Sequence, residues 1–267
     1  MWEIVRRIHK QLYHTSSVLL CEPTTVQELV DWIQSLPMSL QLPFNTNRSI
    51  GINRDVYDLH LGYLTIVTLL HMDKSERSVP TASSPAIIAA SCIARIFKDY
   101  LARGSIRFLP AQATWSIATA MLALLHARRM VGLRSYIDEE IRILHAALTQ
   151  LEHFSFPGKM FSQGIQKLLD KENALGELES VHLMAPDGGI QYHNSSVVNE
   201  IYPDYGLKWT DLFPYLSAYT SPLIAALLSS GDSQLPSCNQ ELAADILLVL
   251  QDLLSEPQGF YSGLLQD

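Results

Sequence analysis

The chain has 267 residues, of which 48% are hydrophobic and 17% charged, and a formal net charge of −8. So many core formers and so few charges exclude a disordered protein, and the acid excess argues against a chain that grips nucleic acid through Lys and Arg on phosphates. The acidity is concentrated at the end: no Lys or Arg follows Lys208, while Asp211, Asp232, Glu241, Asp245, Asp252, Glu256 and Asp267 do.

Cys21, Cys92 and Cys238 lie far apart and form no CxxC. That spacing predicts neither a zinc site nor a disulfide framework and fits a reduced, intracellular setting.

Residues 2–14 read as an amphipathic helix, with Trp2, Val5, Ile8 and Leu12 on one stripe. Charges interrupt its apolar residues, so it does not read as a signal peptide. A chain that opens inside a helix suggests a piece of a longer protein. Thr25, with Glu28 three residues on, predicts the capped start of the next helix, whose apolar face is Val26, Leu29, Val30 and Ile33. Pro37 ends it, and a loop rich in Pro, Asn and Ser follows to Asn53.

The next stretch dominates the pattern. A helix from Arg54 to Met72 would run about 28 Å, and Asp58–Met72, DLHLGYLTIVTLLHM, is apolar on nearly every side. Its contiguous apolar run is far shorter than the roughly 20 residues of a membrane span. A helix of this kind belongs in the middle of a core. Its polar groups, Asp58, His60, Tyr63, Thr65, Thr68 and His71, are then either hydrogen-bonded or line a pocket.

Ser84 and Pro85 open a helix that stops at Gly104, with Ala86, Ala89, Ala90 and Ala94 allowing close approach to a neighbour. Pro110 precedes a helix reaching about Met130 and closed by Gly132. Ser135 is expected to cap the next, whose face is Ile137, Ile141, Leu144, Leu148 and Leu151, with Asp138, Glu139 and Glu140 in its first turns. A short helix at about 160–172 is expected, then loop over 173–208 with Pro186, Gly188, Gly189 and Pro203 as breakers. Helical pieces are expected at about 209–219 and 221–229, and a last one from Ser237 to about Leu254. No period-two strand pattern and no repeat appears.

The fold class is therefore all-α: an irregular multi-helix bundle around a central buried helix at about 54–72. Residues 2–172 form the helical core, 173–208 a loop-rich connection, and 209–267 an acidic helical segment packing on the core.

The order of these motifs carries a resemblance. Leu59-His60, Tyr63 and Leu69-Leu70-His71 match a Leu-His, Tyr, apolar run, Leu-Leu-His pattern; Trp32, Leu36, Pro37 and Leu40 match a "W…LP…L" turn; Cys92-Ile93-Ala94-Arg95-Ile96 matches a "C…A…I" helix. With IHKQLYH at residues 8–14, this resembles the fungal-specific transcription factor domain, the middle homology region of fungal binuclear zinc-cluster regulators. The likeness covers about residues 2–155. Met72-Asp73 departs from the family's Arg-Pro. The six-cysteine DNA-reading cluster and the first part of the middle region have no counterpart here.

The resemblance implies a nuclear regulatory domain without its own DNA contact. It would act through protein partners (a co-regulator, a full-length regulator or a second copy) or a small metabolite, and it implies no catalytic role. The alternative is a helical fold reused as a small-molecule-binding protein or enzyme of secondary metabolism.

The chemistry-bearing residues are few. His60 and His71, eleven residues apart, share a face but lie about 16 Å apart along a helix axis, too far to share a metal. His60, Tyr63 and His71 are the ligand-pocket candidates, against the plainer reading that each satisfies a buried group. Glu179 and His182 make one Glu-x-x-His, where di-iron bundles need two. No nucleophile elbow, HExxH, P-loop or dinucleotide fingerprint occurs. No metal, cofactor or membrane contact is expected. The acidic, leucine-rich end suits an activation segment by composition, although Leu242, Ile246, Val249 and Leu253 also fit a buried helical stripe.

Overall fold

Asn53 starts the central helix: its side chain accepts a hydrogen bond from the Asp55 amide at 3.1 Å, and α2 then runs over Arg54–Leu70. The computed structural model describes residues 23–44, 53–73, 81–110, 112–128, 132–182, 200–202 and 207–229, the side chains of 23, 73, 81, 171–182, 200–202, 207, 209, 228 and 229 excepted. Among the described residues seven α-helices make up the frame, an all-α bundle as the periodicity predicts. Besides α2 they are α1 (Pro23–Gln34), α3 (Ser84–Ala102), α4 (Gln112–Ala127), α5 (Arg134–Glu152), α6 (Phe156–His182) and α7 (Pro222–Ser229). The expected helices at 2–14 and 237–254 lie outside the described residues.

Consecutive helices from α2 to α6 pack side by side, and α3 also meets α5. Val56, Tyr57, Leu61, Tyr63, Leu64 and Val67 of α2 are buried, so α2 sits in the core as its composition predicts. It shares that place with α4, where every residue except Gln112 and Trp115 is buried. Ala86, Ala89, Ala90 and Ala94 of α3 are buried too. Side chains this small let helix axes approach closely.

The helix ends follow local chemistry, with differences from the sequence reading. Helix α1 begins at Pro23 rather than at Thr25, since proline is tolerated in a first turn whose N–H groups lack intrahelical partners. Ser83 rather than Ser84 precedes α3, and its hydroxyl donates to the His71 carbonyl at 3.0 Å instead of capping the helix. Helix α5 starts at Arg134 after Leu133, so Ser135 is inside it. Gly104, at φ 62°, closes α3. Its amide bonds Leu101 O at 3.0 Å and the Ser105 amide bonds Tyr100 O at 3.1 Å, the paired bonds of a Schellman motif.

Two further differences concern the second half. Helix α6 extends to His182, well beyond the expected end near 172, because Lys171–Glu179 is rich in Lys, Glu, Ala and Leu, all strong helix formers. Residues 209–219 are not a helix: a 3-10 turn over Trp209–Leu212 gives way to irregular chain at Phe213, since Pro214 cannot continue a helical ladder. Two short antiparallel ribbons also appear where none is expected. One pairs β1 (Met72–Asp73) with β2 (Thr81–Ala82), joining α2 to α3; the other pairs β3 (Glu200–Tyr202) with β4 (Leu207–Lys208). They are too short to leave an alternating pattern in the sequence.

Helix α6 starts tight against the end of α5. A Cβ on Gly158 would stand 2.7 Å from Ser155 Oγ and 2.9 Å from Leu151 C and O. Gly158→Ala therefore reverses the usual gain of alanine in a helix and costs about 1–3 kcal/mol by overpacking. Thermal unfolding checks the sign; a variant more stable than the parent would contradict the close packing.

Candidate functional site

The polar groups of α2 divide into those that serve the core and those that reach another segment. Thr65 Oγ1 and Thr68 Oγ1 donate back to Leu61 O and Leu64 O at 2.7 and 2.8 Å, the usual way a helix hides a hydroxyl. Tyr57 donates to Asp99 at 2.8 Å and Tyr100 donates to Asp58 at 3.1 Å, so α2 and α3 exchange tyrosine–aspartate bonds. The tyrosine rings meet edge to face with centroids 5.7 Å apart. Arg54–Asp58 and Arg95–Asp99 ion pairs flank them, each at 3.5 Å. Burial first, then the facing carboxylate, pushes both phenols up.

His60 and Tyr63 behave differently. Both are 1% exposed, and both face the strip of chain that returns to the core after the long connection. Tyr63 Oη donates to the Leu212 carbonyl at 2.9 Å, a contact spanning 149 residues. His60 Nε2 lies 2.8 Å from the Leu40 carbonyl and so carries the proton donated there. Its ring meets Tyr215 edge on at 6.0 Å, and Trp32 stacks on Tyr63 at 5.4 Å. Burial lowers the His60 pKa despite the Leu40 bond, and burial pushes the Tyr63 phenol up. Both rings are neutral at pH 7.

The strip answers with its own side chains. Tyr215 Oη donates to Ile33 O at 2.8 Å and Ser217 Oγ donates to Phe44 O at 3.1 Å. Leu212, Phe213, Leu223 and Ile224 are buried in the same core as α1 to α5. Residues 207–229 are thus seated on α1, on α2 and on the loop between them through reciprocal bonds from side chain to carbonyl.

Between strip and core remains a cavity of about 20 Å³, lined by Leu42, Phe44, His60, Tyr63, Cys92 and Tyr215 among others. That is the room of about one water. His60 and Tyr63 therefore come together, as their spacing on α2 predicts, but around a cavity far smaller than a metabolite pocket. Cys92 is fully buried, and burial raises its pKa, which leaves it an inert thiol.

The chain matches no protein-family profile, no curated protein and no solved structure.

His71 stands apart from this seat. It ends α2, its amide bonds Val67 O, and its carbonyl receives both the amide and the hydroxyl of Ser83. Burial holds its imidazole down to about 4. Close by in the chain, the Ala82 amide donates to His126 Nδ1 at 3.2 Å, so the ribbon joining α2 to α3 is tied to α4 by a neutral imidazole. Glu179 and His182 lie in α6 rather than in a loop. Among the described residues no group of three His, Cys, Asp or Glu is placed to hold a metal ion, and no helix is long and apolar enough to cross a membrane.

The second anchor of the strip escaped the sequence reading. Ser91 of α3, Glu140 of α5 and Ser221 just before α7 meet in the interior. Ser91 Oγ donates to Glu140 Oε1 at 2.6 Å and is 2.6 Å from Ser221 Oγ. Ser221 Oγ accepts the Ile224 amide at 3.1 Å and so also caps α7. Glu140 is 3% exposed, and its Oε2 has no hydrogen-bond partner among the described residues. Burial raises the carboxyl to about 7 against the opposing pull of the two serines. A signal was present: Glu140 falls between Ile137 and Leu144 at spacings of three and four, on the stripe that predicts the buried face of α5.

Proposed function

We propose that this chain is the regulatory helical domain of a fungal transcription factor, one that holds its C-terminal strip against the core and so governs the acidic stretch that follows it. The observation that carries the reading is where the resemblance-bearing residues act. Tyr63 bonds the strip, His60 packs on Tyr215 and is fixed by Leu40, and Trp32 stacks on Tyr63. The strip leads straight into residues 230–267, which carry six acids and no base among many leucines. A segment of that composition suits contact with the transcription apparatus. On this reading the domain works in the nucleus, through a protein partner or a small metabolite that favours the seated or the released strip. Such a ligand acts only by binding the two states with different affinity.

Tethering tests this. The full chain fused to a heterologous DNA-binding module should change reporter transcription several-fold. Tyr63→Ala, which loosens the strip, should change it further in the same nuclei. A tethered chain that leaves the reporter unchanged and captures no nuclear partner would defeat the proposal.

A further inference from the structure

The contacts that seat residues 207–229 differ in kind. Those made by Tyr63, Tyr215 and Ser217 join neutral groups to backbone carbonyls. Among the described residues, one anchor runs through a carboxyl group, the Ser221–Ser91–Glu140 chain. It ties three elements together, α3, α5 and the start of α7, at the point where the strip enters its last described helix.

We propose that Glu140 is a proton-operated latch: its neutral carboxyl keeps the strip seated on the core, and its ionisation releases the strip.

The geometry leaves an ionised Glu140 poorly served. A carboxylate offers about four acceptor sites. Here a donor from Ser91 reaches Oε1 and Ser221 adds a smaller pull, while Oε2 is buried and without a partner among the described residues. Among the described residues no cation pairs with it. From α3, Lys98 exerts a favourable pull, but its side chain lies exposed, and Cys92 is a neutral thiol. On α5 itself, Glu139 repels the charge and is engaged with Arg142. Arg128, after α4, pairs with Asp138 at 2.6 Å. Lys159 and Lys167 of α6 and Arg107 before α4 are exposed. Helix α7, PLIAALLS, contributes no ionisable side chain.

A buried carboxylate in this position gains most by admitting water. The element that can yield is the strip. Helices α3 and α5 are locked into the bundle, whereas Ser221 and α7 are held by their short contact face. Lifting the strip away at Ser221 hydrates Glu140 without unpacking the helices. The carboxyl's pKa of about 7 then places the transition in the neutral range rather than in the acid range of ordinary carboxylates. The latch rests on hydrogen bonding and burial alone, and it stands or falls separately from any role in transcription.

Hydrogen–deuterium exchange on the full chain at pH 6 and pH 8, corrected for intrinsic exchange rates, reads it directly. The neutral fraction of a carboxyl titrating near 7 falls about tenfold over that range. Protection of amides in 212–229 should fall by about the same factor, with amides of α3, α4 and α5 unchanged. Glu140→Gln should keep the strip protected at both pH values. Ser221→Ala, which keeps the carboxyl but removes its hold, should show the exposed pattern already at pH 6. Equal protection of the strip at both pH values in the parent overturns the proposal, as does a glutamine variant that loses as much protection as the parent.

Discussion

Tyr63→Ala should lower the stability of the chain by about 3–5 kcal/mol, the range for truncating a large buried aromatic side chain. Tyr63 is among the largest fully buried side chains, stacks on Trp32 and bonds Leu212 O. Its removal opens a cavity beside the one already present and leaves a buried carbonyl without its donor. Tyr63→Phe separates the two effects. It keeps the ring and the Trp32 stack but costs about 1–3 kcal/mol for the unsatisfied carbonyl. Urea unfolding monitored by far-ultraviolet dichroism gives both numbers. A phenylalanine variant as stable as the parent would show that the hydroxyl does not hold the strip. An alanine variant within 1 kcal/mol of the parent would remove Tyr63 from the core altogether.

Glu140→Gln should stabilise the chain at pH 8 by about 3 kcal/mol and change the shape of its pH profile. The carboxyl titrates at about 7 in the folded chain against an ordinary value of 4.5. A shift of that size is worth about 3 kcal/mol at 1.36 kcal/mol per unit. Its sign follows from proton uptake: between 4.5 and 7 the folded state binds the proton more tightly than the unfolded one. The contribution is fully present below 4.5 and lost as pH rises through 7.

His71 works in the opposite sense. Its pKa falls from 6.5 to about 4 on folding, so its contribution is present above 6.5 and lost as pH falls through 4. His60, also lowered by burial, adds in the same direction as His71. In the parent Glu140 offsets His71 between pH 4.5 and 6.5, the rise contributed by His60 remains there, and a decline follows from 6.5 to 7. In the glutamine variant stability climbs with pH to about 6.5 and then holds. Denaturant midpoints at pH 5, 6, 7 and 8 trace both curves. Parallel curves for parent and variant would show that Glu140 titrates like an exposed acid.

Glu140 thus opposes His71 and His60 in the pH dependence of a fold built largely from apolar helices. Two of these groups, His60 and Glu140, lie at the seat of the C-terminal strip. Tyr63 and His60 hold it with neutral groups at one end, and Glu140 holds it with a titratable one at the other. The two variants above perturb the two ends of the seat independently.

Local pattern was enough for the helices of the core. The apolar stripes of α1 and α5 and the small-residue run of α3 are periodic, and periodicity survives any tertiary arrangement. Burial of Ile137, Ile141, Leu144, Leu148 and Leu151 follows directly from their spacing. The pairing of His60 with Tyr63 was legible too, because three residues on a helix share a face. What lay across from that face was not. Leu212 is 149 residues from Tyr63, and nothing local to either position marks the other.

The turn over Trp209–Leu212 and the full length of α6 do not show in the apolar pattern, because Pro214 interrupts the one and a charged stretch of helix formers carries the other. Glu140 shows the limit most plainly. Its place on the buried stripe was visible, but a glutamate near the start of a helix is ordinarily solvated. The sequence by itself determined that this is an all-helical core with Tyr63 and His60 on one inward face and an acid-rich end. Only the tertiary structure decided that those residues seat the returning strip and that Glu140 loses its water to Ser91 and Ser221. Helix periodicity is written in near neighbours, whereas desolvation and long-range hydrogen bonds depend on segments that meet only when the chain folds.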